Sequence, residues 1–284
     1  MSNLSVAVIV LNYRGERVLA RCLDSLEAAL GPNDQVLVVD NGQEESLLTS
    51  LSRRYGRMDI LRPKTNRGFA AGMNLGIRHM REKGMFDAFW LLNNDAYVDP
   101  NSLNHMKRAL IEKGRQGLFS PVIRLSEDQT FWFTGGRIDF LRMRTIHDQV
   151  FRKSVACLET NFLTGCALFI PQAVIDSIGY LDERYFLYYE DAAYSLRAKR
   201  FGLHLWVVPQ AQVFHSEESV HNPEKIYWLV RSGVEFFLRE SRGVWWLWVR
   251  IFFVLRRLKN RFEVQYRSSE VAQSVKRAYT DASL

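Results

Sequence analysis

Val6-Ala-Val-Ile-Val-Leu11, followed at once by Asn12-Tyr13, is a short apolar run that ends in a polar pair. A run of that length with no polar face reads as a strand buried on both sides. The stretch after it, Glu16 to Leu30, spaces Leu19, Cys22, Leu23, Leu26 and Leu30 as one face of a helix. Gln35-Val-Leu-Val-Val39 repeats the buried-strand pattern and stops at Asp40-Asn-Gly42. A polar helix is expected next, then a short strand at Met58 to Leu61. Phe69 to Lys83 predicts a helix closed by Gly84. Ala88-Phe-Trp-Leu-Leu92 is another apolar strand, ending at Asn93-Asn-Asp95. Pro100 opens a further helix and Gly114 ends it.

Strands that alternate with helices imply an α/β fold: a mostly parallel central sheet with helices on both faces. Ligands of such sheets bind beyond the carboxyl ends of the strands. Asn12-Tyr13, Asp40-Asn41 and Asn94-Asp95 all stand at such ends. The second half is less regular. Residues 130–160 read as hairpin and loop with Gly135-Gly136 as a turn. Cys166 to Ile170 is a strand, Pro171 to Ile178 a short helix, Glu190 to Phe201 a helix stopped by Gly202, and Leu205 to Phe214 a strand ending at His215. Residues 223–262 predict one or two helices. The last twenty residues are polar and are expected to be mobile.

The chain has 284 residues and a net charge of +7. Ten Lys or Arg against four Asp or Glu fall between Arg239 and Leu284, so nearly all of the excess sits in the last sixth. This is a basic tail on a balanced body, not a basic nucleic-acid surface. Cys22, Cys157 and Cys166 form no CxxC and suggest no disulfide framework, which points to a reducing compartment. The first apolar run passes straight into Asn12, unlike a signal segment. No stretch reaches the roughly 18–20 apolar residues of a membrane span.

Several positions can carry chemistry, each with a plain structural alternative. Asp95, directly after a buried strand, can hold a divalent cation that takes its other ligands from phosphates and water; it can equally cap the turn before Pro100. Asp40 can accept hydrogen bonds from a nucleoside, but Asn41-Gly42 is also a strong turn signal. Asn66-Arg-Gly-Phe-Ala-Ala-Gly-Met-Asn74 puts small residues where a loop enters a helix, suited to an anion or to tight packing. It is neither GxGxxG nor a Walker loop, so a dinucleotide or P-loop reading does not follow. Glu190-Asp191 opens a helix after Tyr185-Phe-Leu-Tyr-Tyr189; the pair can supply a general base or simply answer the helix dipole. His215 can be a metal or phosphate ligand or a structural histidine, and His221 is a weaker case of the same choice. In Trp245 to Arg261, Arg250, Arg257 and Arg261 share a helical stripe amid Trp and Phe. That fits a helix lying in a membrane surface, or core packing.

The order of the motifs is more telling than any one of them. Val8-Ile-Val-Leu-Asn-Tyr13, Val38-Val-Asp-Asn-Gly42, Asn66 to Gly72 with Asn74, Leu91-Leu-Asn-Asn-Asp95, Thr164-Gly-Cys-Ala-Leu-Phe-Ile170 and Phe186-Leu-Tyr-Tyr-Glu-Asp191 run as in family 2 glycosyltransferases. The chain resembles in particular the bacterial rhamnosyltransferase-like branch. The resemblance implies a GT-A fold over residues 1–222. Within it, 1–120 would be the nucleotide-sugar half and 121–222 the acceptor-binding and catalytic half. Residues 223–284 would be a basic, aromatic-rich helical region that touches the membrane. It implies Asp191 as the base and Asp95 with His215 at the metal. Asn12, Tyr13, Asp40, Asn66, Arg67, Gly68, Asn74, Asn94, Gly165 and Glu190 would contact substrate. The metal motif is Asn93-Asn94-Asp95 where a full DxD has two acids, and Ala192-Ala-Tyr194 follows the Glu-Asp pair where an acidic residue and Leu are common.

The function expected from the resemblance is that of an inverting glycosyltransferase of the hexosyltransferase type, using Mg2+ or Mn2+. It would move a sugar, rhamnose by likeness, from a nucleotide-diphosphate sugar (dTDP-rhamnose, or a UDP-sugar) to a glycan or polyprenyl-linked hydroxyl in cell-envelope polysaccharide synthesis. The expected setting is the cytoplasm, at the inner face of the cell membrane through residues 244–261, with a second copy of the chain in a homodimer and no nucleic acid. Two other classes compete: a sugar nucleotidyltransferase and a non-catalytic membrane-binding protein.

Overall fold

The computed structural model of the chain describes residues 4–42, 51, 54–55, 58–151, 154, 156–216, 222–267 and 269–282. The opening apolar run is β1 (Val6–Asn12), flanked in parallel by β2 (Gln35–Asp40) and β4 (Ala88–Asn93). Val6 through Val10 are fully buried because helices cover both faces. α1 (Glu16–Ala29) buries Leu19, Cys22, Leu23 and Leu26, the face its spacing predicts. α2 (Phe69–Lys83) packs on β1 and β2. At Gly76 a Cβ would stand 2.7 Å from Ile9 Cγ2, so the absence of a side chain lets this helix sit close to the sheet.

β3 (Met58–Leu61) extends the parallel set beyond β2. On the other side come β5 (Ala96–Val98), α3 (Ser102–Lys113), β6 (Gly117–Leu125), β7 (Phe131–Phe133), β8 (Gly136–Asp139), β9 (Arg144–His147), β10 (Leu158–Glu159), β11 (Ala167–Pro171), α4 (Gln172–Ile178), α5 (Glu190–Arg200) and β12 (His204–His215). Among the described residues the main sheet has ten strands in the order β10-β12-β6-β11-β4-β1-β2-β3, with β5 on β12 and β7 on β6. β11 runs antiparallel between β4 and β6, while β6 and β12 are parallel to each other. The amino end of β11 therefore lies on the same edge as the carboxyl ends of β1, β2, β4 and β12.

Two expectations need correction. The hairpin in 130–160 does not turn at Gly135-Gly136. It turns between β8 and β9, where Asp139 Oδ1 accepts the N–H groups of Leu141 and Arg142, each at 3.0 Å, and fixes the reversal. Residues 269–282 are not a mobile tail. α8 (Glu270–Asp281) is capped by Ser269, buries Ala272, Ala278 and Tyr279, and packs against α6 (Pro223–Glu240) and α7 (Val244–Arg267). The Tyr227 hydroxyl donates to Asp281 at 2.7 Å. A sparse apolar stripe suffices where two other helices complete the core. The polar helix expected after Gly42 lies mostly outside the described residues, and His221 lies outside them entirely.

Candidate active site

Parallel register brings the polar strand ends together. Asn12 is paired with Asp40, and Leu11 with Asn93. Asn94 Nδ2 donates to Asn12 Oδ1 at 2.8 Å, and Asn12 Nδ2 donates to Asp40 Oδ1 at 3.3 Å. The three side chains make one hydrogen-bonded row along the edge. Asp40 is fully buried, also accepts the Gly42 N–H at 3.1 Å, and has Arg62 Nε at 3.8 Å. Tyr13, beside this row, is exposed with Arg14 against its ring. Gly15 went unnoticed in the sequence: a Cβ there would lie 2.2 Å from Asn94 Nδ2 and displace it from the row.

The small-residue loop docks on the second half of the molecule. Asn66 Oδ1 accepts the Gly68 N–H at 2.8 Å and Asn41 Nδ2 at 3.2 Å. Gly68 has φ +94°, and a Cβ there would stand 2.1 Å from the Phe186 carbonyl oxygen. That same oxygen accepts the Phe69 N–H at 2.7 Å. Arg67 is exposed, with Glu183 at 3.5 Å. Asn74 is buried and its side chain is committed to protein: Nδ2 donates to the Leu181 carbonyl and Glu183, and Oδ1 accepts the Leu181 N–H. It braces the segment that leads to Glu190-Asp191.

That segment arrives under strain. Tyr188 and Tyr189 have φ +67° and +68°, left-handed values that cost a non-glycine residue about 1–3 kcal/mol. Packing holds them: Ser232 of α6 donates to the Leu187 carbonyl at 2.8 Å, and the Tyr189 ring lies over Gly233 and against Phe236. The chain then enters α5, and Asp191 faces the start of β11. Its Oδ2 accepts the Gly165 N–H at 2.8 Å and its Oδ1 the Ala192 N–H at 2.7 Å. Burial pushes Asp191 up to about 6 despite these donors. Glu190 is more deeply buried, and its Oε2 has no hydrogen-bond partner among the described residues. Burial first, then the charge of Asp191, hold it well above the usual carboxylate range. The two carboxylates titrate as a pair, with Glu190 the harder of the two to ionise.

Asp95 and His215 form the third part. His215 is paired with Ala96 across β5 and β12, and Ser216 N–H donates to the Asp95 carbonyl at 3.0 Å. His215 Nε2 lies 3.3 Å from Asp95 Oδ1. Asp95 Oδ1 and His215 Nδ1 are buried and make no hydrogen bond among the described residues. Among the described residues no three His, Cys, Asp or Glu side chains group as a closed metal cage. A two-residue set with an unsatisfied carboxylate oxygen fits a hard cation whose remaining ligands come from a diphosphate and water, and does not fit structural zinc. Cys22 and Cys166 behind this edge are buried thiols, pushed far up by desolvation and by Asp95.

The family model described as "Glycosyl transferase family 2" matches residues 5–179. The chain belongs to glycosyl transferase family 2. This glycosyltransferase is 24% identical over 263 residues to the N-acetylglucosaminyl-diphospho-decaprenol L-rhamnosyltransferase of Mycobacterium tuberculosis, covering 84% of this chain and 85% of that one. It is 22% identical over 257 residues to the dTDP-rhamnosyl transferase RfbF of Shigella flexneri, covering 81% and 79%. Among solved structures, GalNAc-T7 with UDP, GalNAc and Mn2+ superposes with a TM-score of 0.70 at 15% identity, covering 99% of this chain and 55% of that one. The glycosyltransferase thus spans about half the length of that protein. The mannosyltransferase PcManGT of Pyrobaculum calidifontis, in complex with GDP-Man and Mn2+, gives 0.60 at 12% identity, covering 98% and 85%. The fold is GT-A, and the competing reading of a non-catalytic membrane-binding protein falls away with the family.

Proposed function

We propose that this glycosyltransferase inverts configuration and moves a rhamnosyl group from dTDP-rhamnose to a hydroxyl of a lipid-linked glycan acceptor. The observation that carries the reading is one fixed carboxylate, Asp191, at the sheet edge that also bears the Asp40–Asn12–Asn94 row and the Asp95–His215 pair. A single in-line displacement needs only one base. Asp191 takes the acceptor hydroxyl proton while that oxygen bonds to the anomeric carbon, and the bond to the diphosphate breaks with its electrons left on the departing oxygen. Asp40 and Asn12 receive the nucleoside, with Tyr13 beside the base. Asn94, Asn66 and Arg67 face the sugar diphosphate, while Gly68 acts by docking the loop, its N–H and carbonyl being bonded to Asn66 and Asn41. Gly165 and Asn74 act by holding Asp191 and its segment, and Glu190, buried beside Asp191, is harder to ionise than a free carboxylate. Asp95 and His215 would hold a divalent cation such as Mg2+ or Mn2+, which would supply positive charge against the leaving diphosphate.

Rhamnose and a lipid-linked acceptor are supported by the names of the mycobacterial and Shigella relatives. Peripheral membrane contact is supported by α7. Leu247, Ile251, Val254, Leu255, Leu258 and Phe262 are 44–61% exposed. At about 100° per residue they fall in one stripe, opposite buried Val249 and Phe253 and edged by Arg250, Arg257 and Arg261. Among the described residues no helix is long and apolar enough to cross a membrane.

A thermal-shift panel of nucleotide sugars, with and without Mn2+, tests donor and metal together. The expected result is a shift with dTDP-rhamnose plus Mn2+ that exceeds the shift with either alone. A larger shift with a UDP- or GDP-sugar would replace the donor. Retention of anomeric configuration in the isolated product would overturn the single displacement.

A further inference from the structure

A histidine that ligates a metal through one ring nitrogen almost always donates its other N–H to a carboxylate, carbonyl or water, and that bond sets the ring's orientation. His215 directs Nε2 at Asp95, yet its buried Nδ1 has no hydrogen-bond partner among the described residues. Its orientation must come from packing. The ring against it is Trp132, with centroids 4.9 Å apart and planes at 44°. Trp132 is itself in contact with a second histidine: His147 meets it edge-on at 4.4 Å and 79°. His147 is closed in by Phe133 at 5.2 Å and Phe162 at 5.9 Å, both buried. Burial and the nearby His215 push His147 down to about 4, so at neutral pH it is an uncharged member of this box.

The backbone explains why Trp132 arrives there. β7 pairs with the end of β6 through Ile123 and Phe133, and the end of β6 pairs with β12 at Leu125 and His215. Trp132 and His215 are thus carried to one corner of the sheet by strands that share β6. Trp132 lies in a stretch whose sequence shows only hairpin and loop character.

We propose that Trp132 is a positioning residue for His215. The indole, backed by His147, does by ring packing what a hydrogen bond at Nδ1 usually does. It preorganises the Asp95–His215 pair for a divalent cation. The inference rests on reading Asp95 and His215 as cation ligands, and the test separates the two claims. Full-length protein is titrated with Mn2+ in the presence of dTDP, and free Mn2+ is read by its electron paramagnetic resonance signal. dTDP affinity is measured separately in EDTA.

Trp132→Leu and Trp132→Ala are expected to weaken Mn2+ binding about 10–100-fold, the usual loss on removing a supporting contact, with Trp132→Phe close to wild type. dTDP affinity in EDTA stays unchanged in all three. His215→Ala loses at least as much Mn2+ affinity, and Trp132→Leu adds nothing in that background. Wild-type Mn2+ affinity in Trp132→Leu alongside a loss in His215→Ala would overturn the role of Trp132 alone. Wild-type affinity in both His215→Ala and Asp95→Ala would overturn the ligand reading and this inference with it. Equal loss of metal-free dTDP binding in the Trp132 variants would mark a general packing role and also overturn it.

Discussion

Gly165 donates its backbone N–H to Oδ2 of Asp191 at 2.8 Å, so a carboxylate at the start of α5 is held by the turn that leads into β11. The contact is available because β11 is antiparallel to its neighbours and begins where they end. A base fixed in this way keeps one lone-pair direction oriented before the acceptor arrives.

Asp191→Asn is expected to lower kcat by about 100–10,000-fold, the usual span for a general base, with dTDP-rhamnose affinity nearly unchanged by calorimetry. Turnover within tenfold of wild type would remove Asp191 from the role. In the wild-type protein, kcat should fall as pH drops below about 6, where Asp191 takes up a proton. Stability moves the opposite way. The folded-state value lies above the ordinary 3.8, so between these values the folded protein binds more protons than the unfolded chain. Stability from this group is greatest below 3.8 and is lost as pH rises through 6. The stability of Asp191→Asn relative to wild type should therefore rise as pH goes from 3.5 to 8, by urea unfolding.

Gly68→Ala tests the docking of the small-residue loop. The backbone at φ +94° is strained for alanine, and the added Cβ meets the Phe186 carbonyl, which cannot swing aside because it accepts the Phe69 N–H. The expected outcome is a loss of about 1–3 kcal/mol in unfolding free energy and at least tenfold weaker nucleotide-sugar binding.

Lys107 and Asp34 form a buried ion pair at 2.7 Å, and Asp34 also accepts the N–H groups of Val6 and Gly31. Lys107→Met leaves a buried carboxylate without its cation and should cost about 3–5 kcal/mol in denaturant unfolding. Adding Asp34→Asn should recover part of that loss. An unchanged denaturation midpoint in Lys107→Met would show that the pair contributes nothing.

Leu258→Glu, in the exposed stripe of α7, should release the protein from anionic liposomes in a flotation assay while leaving the melting temperature within a few degrees, because the stripe is open to solvent among the described residues. A variant that stays bound to liposomes would refute the membrane surface. A wild-type dimer that becomes monomeric in the variant, with no liposome binding by either, would assign the stripe to a second copy of the chain.

Period and punctuation in the sequence suffice for the strands and helices of the first half. Val6 to Leu11 and Ala88 to Leu92 are apolar throughout because both faces are covered, and a buried strand has no other way to be written. The same logic places Asp40 and Asp95 at one edge, since parallel strands end together. It reaches no further. Gly165 comes to Asp191 because one strand is reversed, and the direction of a strand leaves no mark in its side chains. Asn12 and Asp40 are in hydrogen-bond reach because of register, which backbone pairing settles between strands 28 residues apart. Trp132 meets His215 across 83 residues through the shared edge of β6. The polar last helix folds because α6 and α7 complete its core. In each case the deciding contact lies between segments far apart in the chain, where local propensity carries no information and only packing of the whole selects the partner.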